Sequence, residues 1–252
     1  VGVVRNHGCF YPSCTSKCGP ILSFMLQGLE VEENPLSVAV SLEHQVKIIY
    51  EDDYILVLDK PHGMLSVPGK ESLSSIYDFV NQRWKNLSGP LIVHRLDMAT
   101  SGILMFAKHR DAEVAVSKMF QARCVTKQYE ALVQGKLLGQ GEVTAPLIVD
   151  WENRPRQMVH EQLGKPSRTL YQAASYDETQ DISRVILTPI TGRSHQLRVH
   201  MMHIGHPISG DQIYHPRWQD NLLNRMALHA SQLSFVQPLS GETLEIRCVV
   251  PF

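Results

Sequence analysis

Apolar residues fall into short runs separated by polar punctuation, and the spacing within each run predicts the elements. β-branched and aromatic residues fill Val46–Tyr50 and Tyr54–Leu58 on either side of the acidic triplet Glu51-Asp52-Asp53, which reads as a β-hairpin. Lys60-Pro61 ends it, because Pro cannot donate to a ladder. A loop follows in "KPHGMLSVPG". Leu73, Ile76, Tyr77, Val80 and Trp84 recur at the three-to-four spacing of an amphipathic helix over 73–86. "ILMFAK" predicts a strand, 111–123 a helix, and the alternating "KQYEALVQG" another strand. Strands are expected at Thr169–Tyr176, Arg184–Pro189, Ala227–Phe235 and Thr243–Val250, and a last helix in "SHQLRVHMMHIG", stopped by Gly205 and Pro207. Many strands with few helices and no βαβ rhythm predict an α+β fold with a mixed sheet. Residues 1–40 read as an N-terminal segment of unknown role, with one apolar run, "ILSFMLQGL", and 41–252 as the main domain.

With 252 residues, 43% of them hydrophobic, the chain can bury a sizeable core. Its net charge of −1 lacks the basic excess of an electrostatic nucleic-acid binder, yet the charge is unevenly spread. Acidic residues crowd 30–59, whereas Arg83, Lys85, Arg95, Lys108, Arg110, Lys118, Arg123, Lys127 and Lys136 outnumber the acids between them. A positive face is compatible with no net charge. No apolar window is long enough to span a bilayer and no signal segment opens the chain, so a cytoplasmic protein without a membrane partner is expected.

Five cysteines, an odd number, argue against a disulfide scaffold. His7, Cys9, Cys14 and Cys18 cluster, but their spacing is not the tight C-x2-C of zinc knuckles, and reduced thiols are expected there. His195, His200, His203 and His206 raise a second metal reading, a His-dependent metallohydrolase; no carboxylate within the segment completes it, and hydrogen-bonded core or RNA-facing histidines are the expectation. No Gly-rich phosphate loop, zincin motif or nucleophile elbow is present, which removes the usual support for nucleotide cofactors and α/β-hydrolase chemistry. Arg198 stands between Leu197 and Val199, so it needs a buried acceptor; a carboxylate such as Asp97 would serve, and the pairing would favour the ionised carboxylate against desolvation. Tyr129, taken alone, reads as a packed aromatic.

Four stretches change that reading. "KPHGMLSVPG", "HRLDMATSG", "KQYEALVQG" and "GRSHQLRVHMMHIGHPISGD" resemble, in order, the motifs of the RluA family of pseudouridine synthases, and "DWENRPRQMV" and "GKPSRTLY" resemble the branch typified by ribosomal large subunit pseudouridine synthase A. The resemblance covers 46–252. It implies the pseudouridine synthase fold, a largely antiparallel central sheet with flanking helices and a catalytic cleft. It also implies an isomerase that turns specific uridines of structured RNA into pseudouridine without a cofactor or a metal. Ribosomal RNA, of the large subunit, is the expected substrate, with transfer RNA the alternative. Asp97 corresponds to the family's indispensable Asp, Tyr129 to its Tyr, and Arg198 to the Arg that pairs with the Asp. Arg95 corresponds to the Arg that fills the gap left by the flipped base. Lys127, Arg154, Arg156, Lys165, Arg193 and His195 are the expected RNA contacts. Ser194 departs from the family's frequent Thr, and His62 from its frequent small residue. A monomer is expected. The rival reading is a non-catalytic RNA-binding factor using the same cleft.

Overall fold

The computed structural model describes residues 45–69, 75–85, 91–220 and 223–252. The expected N-terminal segment 1–40 and its His7/Cys9/Cys14/Cys18 cluster lie outside these residues.

The first hairpin is the expected one. β1 (Lys47–Glu51) pairs antiparallel with β2 (Ile55–Lys60). Asp52 fastens the turn, because its Oδ1 accepts from the backbone N–H of Tyr54 at 2.7 Å and of Ile55 at 2.6 Å. α1 (Ile76–Arg83) begins with a capping box in which Ser75 and Asp78 satisfy each other's backbone N–H groups. Next come β3 (Leu91–Ile92), β4 (Ser101–Ala107) and α2 (Arg110–Gln121). α2 stops short of the expected Arg123, which turns left-handed at φ 59° and closes the helix.

The remainder is β5 (Thr126–Gln134), β6 (Gln140–Val143), β7 (Leu147–Val149), β8 (Gln157–Val159), β9 (Thr169–Asp177), β10 (Ile182–Pro189), α3 (Gln196–His203), β11 (Leu228–Val236) and β12 (Thr243–Arg247). β6, β7 and β8 were not expected from the pattern. The main sheet has the order β1-β2-β4-β11-β5-β10-β9-β6, with β12 on β11 and β3 on β4, while β7 and β8 form a separate hairpin. Among the described strand pairs only β4 with β11 is parallel, which makes the sheet mixed and largely antiparallel.

β4 is buried at every position, as befits a central strand covered on both faces. Its apolar side chains join Ile55–Leu58, Val80 and Val116 in one core cluster. A second cluster gathers Val133, Leu187, Met201 and Ile208 beneath α3. Gly102 is required where β4 meets β11: its φ is +106°, and a Cβ there would lie 2.7 Å from the backbone N of Ala230. Backbone cannot yield as a side-chain tip can. Gly102→Ala is expected to lower unfolding stability by about 3 kcal/mol or more, read from urea denaturation.

Candidate active site

The Asp97 loop, residues 93–100, leads into β4 and is held from both sides by the "KPHGMLSVPG" loop. Ser66 Oγ donates to the carbonyl of Leu96 at 2.7 Å and accepts from the Leu96 N–H at 3.0 Å. On the other side of Asp97, the Gly63 N–H donates to the Met98 carbonyl at 2.8 Å. Lys60 completes the bracket. Its side chain is fully buried, and Nζ donates to the carbonyls of Pro61, Met64 and Met98 at 2.8, 2.7 and 3.1 Å. Three carbonyls match the three N–H donors of an ammonium. Burial nevertheless pushes the Lys60 pKa down to about 7, with the charge of Asp97 pulling the other way.

Lys60→Met is therefore expected to strip the donor from the Pro61 and Met64 carbonyls and leave the Met98 carbonyl with the Gly63 N–H alone, cost about 2 to 4 kcal/mol of stability and loosen the Asp97 loop. The pH dependence follows in sign. The unfolded lysine, near 10.5, keeps its proton to higher pH than the folded one, so wild-type stability rises with pH from about 7 towards that value. Urea unfolding across this window should show the rise in the wild type and its loss in the variant.

Asp97 lines a cleft of about 850 Å³ with Arg95, Arg123, Lys127, Tyr129 and Arg193, a volume within the range of ligand sites. Arg198 Nη1 donates to Asp97 Oδ2 at 3.1 Å, which brings together the expected pair. The larger share of the guanidinium is held elsewhere. Nε and Nη2 form a bidentate fork on Asp211, at 2.7 and 2.8 Å, and the Asp211 side chain is fully buried. Asp211 also accepts the N–H groups of Ile213 and Tyr214. Burial opposes the Arg198 charge, but the hydrogen bonds and charge of Asp211, then of Asp97, outweigh it and raise the Arg198 pKa.

His195, the residue before α3, adopts a left-handed backbone at φ 54°. That turn aims its ring at the site: Nδ1 lies 2.8 Å from the Tyr214 hydroxyl and Nε2 3.9 Å from Asp97 Oδ2. Burial lowers its pKa more than Asp97 raises it, which favours a neutral imidazole. The Tyr214 hydroxyl also accepts the Gln157 N–H, and the guanidinium of Arg198 lies 5.1 Å from the Tyr214 ring centre. Tyr129, on β5 opposite Leu187 of β10 and Ala230 of β11, lies in the same cleft. Burial first, then the charge of Asp97, raises its pKa, so the phenol keeps its proton at neutral pH.

Not every expected RNA contact reaches the cleft. Arg95, Lys127, Arg193 and His195 line it; Arg154, Arg156 and Lys165 do not. Arg154 and Arg156 lie in the β7–β8 loop, and Lys165 follows β8 alongside β7. Arg154 stacks 3.6 Å from the centre of the exposed Trp151 ring, Arg156 faces the Tyr214 ring, and Lys165 exchanges backbone hydrogen bonds with Leu147. The histidine metal reading is overturned. His200 is buried with its ring on Ser167, Thr169 and the Ala145 carbonyl, and His206 Nδ1 meets the Gln134 carbonyl, so the four histidines do not converge. Lys60, Arg123, Asp211 and Tyr214 were missed. Asp211 closes the quoted "HPISGD", fifteen residues beyond the first residue of α3, and its membership of that stretch was the one signal available.

The mixed sheet thus holds a carboxylate, an aromatic ring and several cations around one cleft. Residues 54–203 match the family model described as RNA pseudouridylate synthase. The solved structure of human RNA pseudouridylate synthase domain containing 1 superposes with a TM-score of 0.71 at 29% identity, covering 82% of this chain and 84% of that one. Two proteins named dual-specificity RNA pseudouridine synthase RluA are closer in sequence. That of Pasteurella multocida is 48% identical over 202 residues, covering 78% of this chain and 90% of the relative. That of Escherichia coli is 41% identical over 208 residues, covering 81% and 93%. These matches define an RNA pseudouridine synthase, an isomerase. Within that class the chain belongs to the RluA family.

Proposed function

We propose that Asp97 performs the isomerisation, with Tyr129 and Arg198 beside it, on a uridine of large-subunit ribosomal RNA. The observation that carries this reading is the Asp97 carboxylate at the cleft, 3.1 Å from a guanidinium that Asp211 holds fixed. Isomerisation breaks the C1′–N1 bond and makes a C1′–C5 bond while the uracil is retained. An ionised carboxylate at the sugar either attacks C1′ or removes the C2′ proton, and both routes need the anion. Arg198 supplies the countercharge at a fixed distance, without reorganisation during reaction.

Tyr129 offers uracil a face to stack on, and because its phenol stays protonated it is a hydrogen-bond donor rather than a ready base for the C5 proton. Extruding the nucleotide costs a few kcal/mol, and exposed Arg95 at the cleft offsets part of this by filling the gap. Lys127 and Arg193, joined by Arg123, hold phosphates around the cleft; Arg154, Arg156 and Lys165 extend the track along the β7–β8 hairpin. His195 contacts the RNA from the rim.

Transfer RNA is the second substrate class in this reading, supported by relatives whose name carries the words dual-specificity. The catalytic unit is 41–252, with 1–40 an appended segment. The enzyme acts as a cytoplasmic monomer without cofactor, a reading compatible with the finding that no helix among the described residues is long and apolar enough to cross a membrane.

The test is incubation of the purified chain with large-subunit ribosomal RNA and with transfer RNA, followed by carbodiimide labelling and primer extension. A discrete stop in ribosomal RNA is expected, and one in transfer RNA as well. Tight binding with no stop in either RNA would favour the non-catalytic factor and overturn the substrate assignment.

A further inference from the structure

We propose that Asp59, His229 and Cys248 form a binding site for a transition-metal ion, zinc by the chemistry of its ligands, on the sheet face opposite the catalytic cleft. The three come from β2, from β11 and from the residue just past β12, and one ligand atom of each lies within 4.8 Å of the other two. This is the single such cluster among the described residues. A zinc ion bound at about 2.0 to 2.3 Å draws its ligand atoms to within about 4 Å of one another, so small side-chain rotations complete the set. Thiolate, imidazole and carboxylate together suit zinc better than magnesium or calcium.

A second, independent observation points to a ligand. His229 is 1% exposed, and its Nε2 is the only buried side-chain nitrogen or oxygen among the described residues that lacks a hydrogen-bond partner. A buried polar atom without a partner is costly, and a metal ion would satisfy it. The other ring nitrogen is already placed: Nδ1 lies 2.8 Å from Ser101 Oγ. When Nδ1–H donates to that hydroxyl, Nε2 carries the free lone pair, the arrangement usual for a metal-binding histidine with its outer partner. Arg225 Nη2 donates to the same Ser101 oxygen. Its charge opposes the ion, while the thiolate and carboxylate supply two negative charges that balance it.

Strand alternation puts this cluster behind the sheet. Lys60 and Leu228 face the cleft side, so their neighbours Asp59 and His229 face away. Asp59 pairs in register with Ile103, and His229 with Ser101, so the two stand on either edge of β4 and share one face of the sheet. An ion there would clamp β2, β11 and the segment after β12 across the strand that follows the Asp97 loop. The Cys248 thiol lies beside the Asp59 carboxylate. Metal binding would replace the thiol proton, releasing one proton to solvent. Asp59 and Cys248 are half-buried, which leaves a path for the ion and for a water at the fourth position.

The test uses the full chain and the metals alone. Cobalt titration should give a thiolate-to-cobalt charge-transfer band that saturates one equivalent higher in the wild type than in Cys248→Ser or His229→Gln, each checked for native circular dichroism. In the unsubstituted protein, zinc should slow alkylation of Cys248, located by peptide mass. Equal stoichiometry in all three proteins, or alkylation of Cys248 indifferent to zinc, would overturn the site. The alkylation arm needs no variant, and pseudouridine formation plays no part in either readout.

Discussion

Asp97→Asn should lower pseudouridine formation by about 10³-fold or more, the scale lost when a group acting at the reacting atoms is removed. The physical case rests on what the substitution leaves alone. Asn has the same shape, and its amide oxygen still accepts from Arg198 Nη1, so the loop geometry survives. Arg198 keeps its compensating charge from Asp211, through two hydrogen bonds that Asp97 does not share. What disappears is the negative charge at the cleft, on which both routes to the C1′–C5 bond depend. RNA affinity should change only a few-fold, because the phosphate contacts proposed for this cleft fall on Lys127, Arg193 and their neighbours rather than on Asp97. Single-turnover assays on modified RNA fragments, run beside filter binding, separate the two. An Asn variant that turns over at a rate comparable with the wild type would remove Asp97 from the chemistry.

How far the sequence reached depended on the range of the interaction. The β1–β2 hairpin, β4, β5 and α3 were legible because each follows from spacing within one short window. That Arg198 needs a buried acceptor was legible for another reason, its place between Leu197 and Val199; that the acceptor is Asp97 came from the resemblance to the family's motifs. Asp211 was not legible, because a buried ion pair leaves no periodic trace, and an acid after "ISG" reads as a turn residue. Lys60 was hidden similarly. Before a Pro at a strand end, a lysine looks like a solvated terminus, and only the fold shows it reaching back to Met98. β6, β7 and β8 are three or four residues long, too short for alternation to declare itself. Arg154, Arg156 and Lys165 were singled out by charge alone, and charge does not say that they lie outside the cleft that Asp97 lines. The cluster of Asp59, His229 and Cys248 has no spacing signature at all, since it is assembled by strand order.

Asp211→Asn separates positioning from chemistry. Arg198 is 5% exposed at its side chain and Asp211 0%, so removing one charge leaves the other buried with half its fork unpaired. Breaking such a pair costs about 3 to 5 kcal/mol, far more than a surface ion pair is worth. Two of the four hydrogen bonds that Asp211 accepts also fasten the backbone of Ile213 and Tyr214, so the loss should spread to the hydroxyl that holds His195. The variant is therefore expected to lose both stability and activity, whereas Asp97→Asn loses activity alone. Arg198→Met should be destabilising too, and the double variant should cost less than the sum of the two, because neither charge is then left without its partner. Urea unfolding of the four proteins measures that coupling. If Asp211→Asn unfolded with the wild-type midpoint, or if the two effects simply added, the fork could not be what holds Arg198 against Asp97. The guanidinium would then owe its position to packing against Tyr214, and the cleft would tolerate the loss of its buried anion.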